Sequence, residues 1–104
     1  MKSKKMVTLM NIIFDSILQM HKEGQKEYAH DEDNVFANFD RVANQTNTDK
    51  KFVLWIYLMK HIDGIASYIN GHKSQREDVR GRITDALVYL IILWAMINED
   101  EGIN

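Results

Sequence analysis

A row of ionisable side chains precedes the last apolar segment of this 104-residue chain. Four of its members share one face of a helix because they are spaced by four, three and four residues: Asp78, Arg82, Asp85 and Tyr89. Glu77 lies beside this row. One interpretation is local ion pairing, which adds little stability at an exposed surface. The other is that Asp85 is partly buried at the rim of the apolar run, where it needs a cation, a metal ion or a hydrogen-bond donor.

A second set of polar residues follows one face of the preceding apolar segment. Tyr57, Lys60 and Gly64 share this face, followed by Ser67 or Tyr68. A glycine inside a helix costs about 1 kcal/mol relative to alanine, so Gly64 predicts a close approach, by a neighbouring helix or by a ligand. Close helix packing is the more common cause. Three residues are candidates for a small cationic phosphate site: Lys60, His61 and Arg82.

Metal and catalytic motifs are sparse in this sequence. It contains no cysteine, and its four histidines lack the spacing of a zinc site. Oxygen ligands suit magnesium, so a Mg²⁺ site formed by Asp63, Glu77 and Asp85 is the chemically reasonable alternative to no metal at all. The sequence has no phosphate-binding glycine loop, nucleophile elbow or dinucleotide fingerprint, and it assigns no catalytic residue.

These candidates must be positioned by helices. The chain has no proline, and its apolar residues recur at helical spacing. We expect one all-α domain over residues 1–104, a small four-helix bundle with three long helices and one short helix. The predicted helices span about 6–28, 35–42, 49–70 and 75–98, and residues 99–104 form a frayed tail.

The third and fourth helices are apolar nearly all round over residues 52–59 and 86–97. One core of this size cannot cover both sides of both helices, so we expect a homodimer, or a higher oligomer, through helices 3 and 4. The run 86–97 is shorter than the roughly 20 residues that cross a bilayer, which predicts no membrane insertion. A net charge of −2 argues against binding to duplex nucleic acid.

Several short motifs occur in an order that is similar to a known family. They are Glu27-Tyr28, Asn38-Phe39, Lys60-His61, and Glu77 followed by Asp85 and Tyr89. Over residues 23–97 this order resembles the helical nucleotide-modification-associated domain of phages and prophages. It is more distantly similar to the all-α NTP pyrophosphatases of the MazG and dimeric dUTPase group. The resemblance implies a dimeric helical bundle, a polar site related to nucleotides, and a location in the cytoplasm of an infected or lysogenic cell.

The hydrolytic members of that group hold Mg²⁺ with an ExxE pair and an ExxD pair, which positions a triphosphate for attack by water. The corresponding residues here are Lys60 with Asp63, and Arg82 with Asp85. Two of the four expected carboxylates are therefore cations. This departure favours direct binding of an anionic nucleotide, or a structural ion-pair network, over metal-dependent hydrolysis.

Three functions remain open from the sequence. In the first, the chain binds a nucleotide or similar phosphate ligand without efficient hydrolysis: Lys60, His61 and Arg82 contact phosphate, Tyr57, Tyr68 or Tyr89 stacks on a base, and Glu77 and Asp85 bind sugar hydroxyls or orient the cations. In the second, a non-catalytic phage protein binds and inhibits a host defence protein. In the third, Asp63, Glu77 and Asp85 serve a Mg²⁺-dependent NTP pyrophosphatase. A blander alternative is that the charged row only fixes helix register in a dimer.

Overall fold

The computed structural model describes residues 1–24, 34–74 and 76–103. Within these residues the chain forms four α-helices and no strand, which confirms the predicted all-α bundle of three long helices and one short helix. The helices are α1 (Ser3–Gly24), α2 (Ala37–Thr46), α3 (Lys50–Ile69) and α4 (Val79–Asp100). The last helix starts four residues later than predicted and continues two residues further, through Glu99 and Asp100.

Aspartate side chains cap the N-termini of α3 and α4. Asp49 accepts a hydrogen bond from the backbone N–H of Lys51 at 2.7 Å, and Asp78 accepts one from the N–H of Arg80 at 2.7 Å. Each carboxylate satisfies an otherwise unpaired N–H and lies at the positive end of the helix dipole. Asp78 is therefore the cap of α4, and its ion pair is with Arg80 at 3.4 Å rather than with Arg82 as the helical spacing suggested.

α3 and α4 pack against each other in antiparallel orientation. The ammonium of Lys51, at the start of α3, lies 2.7 Å from the carboxylate of Asp100, at the end of α4. Between the two helices, Leu54 and Met96 are completely buried. α2 packs against one end of this pair through Phe39 and Ala43, and among the described helices α1 packs only on α4. The α3–α4 pair is therefore the frame that positions the polar residues of both helices.

A large apolar surface is left uncovered around this frame. On α3, Trp55, Ile62 and Ile69 follow each other at intervals of seven residues and are 50%, 40% and 75% exposed. On α4, Leu90 and Trp94 are 47% and 71% exposed. The accessible surface of the chain is 8043 Å², whereas a compact monomer of this mass has about 6,100 Å². The expectation that one core cannot cover α3 and α4 therefore holds for the isolated chain.

Among the described residues, α4 is also the one helix long and apolar enough to cross a membrane. The sequence-based estimate counted only the uninterrupted run 86–97, whereas the helix that contains it has 22 residues. The argument that this segment is too short is therefore wrong. Length and composition alone do not separate a membrane helix from the core helix of a bundle, and α4 carries the charged pair Arg82 and Asp85 in its first two turns.

Candidate ligand site between α3 and α4

The antiparallel helix pair places His61 of α3 against the start of α4. The imidazole ring lies on the ring of Tyr89, with centroids 5.6 Å apart and planes inclined by 33°. Nδ1 of the same ring lies 3.6 Å from Oδ2 of Asp85. This distance is longer than a hydrogen bond, for which 2.7–3.2 Å is usual. Only 9% of His61 is exposed, whereas the Asp85 side chain is 33% exposed, so the contact lies at the edge of the buried helix interface.

An aromatic cluster forms the inner wall of this site. The rings of Tyr57 and Tyr89 lie 5.9 and 6.2 Å from the ring of Phe39, and 6.5 Å from each other. Burial raises the pKa of the Tyr89 phenol, and the negative charge of Asp85 adds to the increase. Tyr57 and Tyr89 therefore pack into the core that supports the site. Tyr68 lies elsewhere on α3, with the ammonium of Lys73 5.4 Å from its ring centre.

Arg82 crosses from α4 to α3 at Gly64. A Cβ atom built on Gly64 would lie 2.5 Å from Nη1 of Arg82 and 2.6 Å from its Cδ. The close approach predicted at this glycine is therefore made by a side chain of the neighbouring helix. This packing holds the guanidinium beside the His61 and Asp85 pair and buries its Nε.

Two buried side-chain atoms of the described residues make no hydrogen bond, and both belong to this site. They are Nδ1 of His61 and Nε of Arg82. Buried polar atoms are nearly always paired, because an unpaired one loses its interaction with water without replacement. Two such atoms on facing helices indicate a place where a further group with lone pairs, or an ion, would bind.

Two carboxylates complete the group. Ligand atoms of His61, Glu77 and Asp85 all lie within 4.8 Å of one another. Burial raises the pKa of the Asp85 carboxyl above its ordinary value and the charge of Glu77 adds to this, while His61 and Arg82 act in the opposite direction. Asp85 is thus a partly buried carboxylate whose negative charge is only partly compensated by His61 and Arg82. This agrees with the expectation that Asp85 lies partly buried at the rim of the apolar run.

The structure brings together five of the predicted site residues around Asp85: His61, Glu77, Arg82, Tyr89 and, behind them, Tyr57. Lys60 is exposed on α3. Asp63 is also exposed, and the group of possible metal ligands in the described part of the chain contains His61 in the place that the sequence gave to Asp63. The pair Glu27-Tyr28 lies outside the described residues.

The sequence also contains a signal that places His61, and not Asp63, on the buried face of α3. Leu54, Leu58 and His61 follow one another at steps of four and three, and all three are buried. His61 therefore belongs to the stripe of α3 that faces α4. Asp63 is two residues further, about 200° around the helix, and points away.

No family model matches this chain, and no curated protein or solved structure matches it significantly. The resemblance to phage nucleotide-associated domains stays a prediction from the quoted residues. The functional inference is carried by the geometry of the α3–α4 site.

Proposed function

We propose that this chain binds a phosphate-bearing ligand of nucleotide type in the α3–α4 site, without efficient hydrolysis. The observation that carries the proposal is the pair of buried nitrogens without a hydrogen bond, Nδ1 of His61 and Nε of Arg82. Leaving such an atom unpaired costs roughly 1–3 kcal/mol, which a ligand with acceptor oxygens recovers. Phosphate supplies these oxygens and matches the planar guanidinium.

A second cation is available on the same face of α3. Lys60 precedes Gly64 by one helical turn, so the two residues lie above each other, and the guanidinium of Arg82 lies across Gly64. Lys60 is exposed and its long side chain reaches outward from this point. A phosphate group held by Arg82 would therefore have a further cation beside it, which suits a ligand with several negative charges.

The chemistry of the site favours binding over hydrolysis. In the hydrolytic group that the sequence resembles, carboxylates would stand at the positions of Lys60 and Arg82. Here Arg82 is packed against Gly64 and cannot act as a metal ligand, because guanidinium has donors and no acceptor. The pyrophosphatase alternative therefore lacks half of its expected metal ligands.

Isothermal titration calorimetry with a panel of mono-, tri- and cyclic nucleotides tests this function. We expect binding that Arg82→Gln weakens by about 10- to 100-fold, the effect of a lost charge-assisted hydrogen bond. Arg80→Gln is the matched control, because Arg80 lies on the same helix and its side chain is 82% exposed. Absence of binding to every nucleotide at millimolar concentration, or an equal loss in both variants, rules the proposal out.

The exposed apolar surface favours a second candidate function, which is protein interaction. Trp94 and Trp55 are 71% and 50% exposed, although tryptophan is rarely left in water on a monomer and is enriched at interfaces. The accessible surface exceeds that of a compact monomer by about 2,000 Å², more than the roughly 800 Å² that each partner buries in a standard interface. A second copy of the chain is the partner we favour. A host protein of the infected cell, including a defence protein, is the alternative if the chain is monomeric.

A further inference from the structure

The geometry points to a divalent transition-metal site formed by His61, Glu77 and Asp85, selective for Mn²⁺, Co²⁺ or Zn²⁺ over Mg²⁺. One ring nitrogen and two carboxylate oxygens of these residues lie within 4.8 Å of one another. The site lies inside the proposed nucleotide site and deepens that function. It does not require the nucleotide, since its three ligands all come from this chain.

The spacing of His61 and Asp85 fits two ligands of one ion. Ligands at about 2.1 Å from a metal, with angles of 90–110°, are separated by roughly 3.0–3.4 Å. The observed distance between Nδ1 of His61 and Oδ2 of Asp85 is 3.6 Å, beyond hydrogen-bond range and close to this separation. Glu77 is exposed at the start of α4, so its side chain has the freedom to complete the coordination.

The buried imidazole is the second, independent observation. The His61 side chain is only 11% exposed, and its Nδ1 atom is buried without a hydrogen-bond partner. The atom faces Asp85, a partly buried carboxylate that burial disfavours in its charged form. A bound cation would give the nitrogen lone pair a partner and compensate the carboxylate charge at the same time.

The donor set determines which ions fit. Mg²⁺ prefers oxygen ligands and a largely hydrated shell, whereas an imidazole nitrogen favours transition metals. The charge of Arg82 remains beside the site after the two carboxylates neutralise a dication. The loaded site would therefore be positive, and it would bind a phosphate directly to the ion. In this arrangement His61 contacts the ligand through the metal, and Arg82 contacts it directly.

The test is titration of the nucleotide-free protein with Mn²⁺, followed by electron paramagnetic resonance, and with Co²⁺, followed by its visible absorption. We expect one ion per chain, and affinity at least about 10-fold weaker in Glu77→Gln and in Asp85→Asn. Asp63→Asn is the matched control, because it removes an exposed carboxylate of α3 outside the group and should change affinity less than twofold. Glu77 is exposed, so Glu77→Gln leaves the core intact and the comparison does not depend on a buried substitution.

Three outcomes overturn the site. They are the absence of saturable binding of both Mn²⁺ and Co²⁺, an affinity for Mg²⁺, measured by competition with Mn²⁺, equal to the affinity for Mn²⁺, and a loss in Asp63→Asn as large as in Glu77→Gln. A failure of the metal site is distinguishable from a failure of nucleotide binding, because the metal titration is carried out without nucleotide. Absence of metal binding together with nucleotide binding in metal-free buffer would remove this inference and leave the proposed function standing.

Discussion

The guanidinium of Arg82 occupies the space that a side chain at Gly64 would need. An ideal Cβ on Gly64 would meet Nη1, Cδ and Cζ of Arg82 at 2.5, 2.6 and 2.7 Å. These distances are well below van der Waals contact, so a side chain at position 64 would force Arg82 or the backbone of α3 to move. The absence of a side chain at Gly64 therefore allows Arg82 of α4 to lie across α3. The packing of the two helices and the position of this positive charge depend on the same residue.

This relationship predicts that the effect of Gly64→Ala depends on Arg82. In an Arg82→Ala background, Gly64→Ala should raise the free energy of unfolding by about 0.5–1 kcal/mol, because alanine is the better helix former and the space is empty. In the wild-type background, the displaced guanidinium should cancel or reverse this gain. Urea unfolding of the four proteins measures the coupling.

Gly81 provides the control for this cycle. It also lies in a helix, yet a Cβ there would meet nothing within 4 Å. Gly81→Ala should stabilise the chain to a similar extent whether or not Arg82 is present. If Gly64→Ala is stabilising by the same amount in both backgrounds, Arg82 does not lie across Gly64 in solution.

The pKa of Asp85 sets the sign of its contribution to stability. Burial raises this pKa above 3.8, so the folded state holds the proton more tightly than the unfolded chain. The contribution of Asp85 is therefore most favourable below pH 3.8 and is lost as pH rises through the folded-state pKa. We expect Asp85→Asn to gain stability relative to wild type over that rise, in urea unfolding measured from pH 3 to 7.

Asp49 is the internal control, with the opposite sign. Its pKa lies below 3.8 because the backbone N–H of Lys51 and then its ammonium donate hydrogen bonds to the carboxylate. That contribution is present above pH 3.8 and is lost as pH falls through the folded-state pKa. Asp49→Asn should therefore be less stable than wild type near neutral pH, with the deficit disappearing in acid. Matching pH trends for the two variants would contradict the burial of Asp85.

The elements of this fold follow from the sequence because their signals are local. The recurrence of apolar residues at helical spacing and the absence of proline are properties of single segments, so each helix can be predicted without knowing its neighbours. The change from charged to apolar residues likewise located Asp85 at the rim of α4, where the structure finds it partly buried.

The partners within the site depend on how two helices rotate against each other, which no local pattern contains. Asp63 and His61 both lie within one helical turn of Lys60 in sequence, and only the packing of α4 selects His61. Asp78 was misassigned for a different reason. Its carboxylate has a choice between Arg82 one turn away and the free N–H of Arg80, and the unpaired backbone group at the helix start is the stronger competitor.

Hydrolysis is expected to be absent even with metal present. If Glu77 and Asp85 hold one ion, the cluster of His61, Glu77 and Asp85 contains no further carboxylate that could activate an attacking water. Incubation with NTPs and dNTPs in Mg²⁺ or Mn²⁺ should release no pyrophosphate above a protein-free blank. Release that is lost in Asp85→Ala would instead support the pyrophosphatase alternative.

The oligomeric state is predicted by the exposed tryptophan of α4. Light scattering should give the wild-type chain twice its 12.2 kDa mass, because a second copy covers the apolar faces of α3 and α4. Trp94→Glu places a charge where the side chain is 71% exposed in the isolated chain, so the fold tolerates it while a dimer does not.

Ile103→Glu is the matched control, since Ile103 is 51% exposed but lies beyond the end of α4. A wild-type monomer at 100 µM, or a Trp94→Glu dimer as stable as the control, would exclude this interface and leave the surface to a different protein.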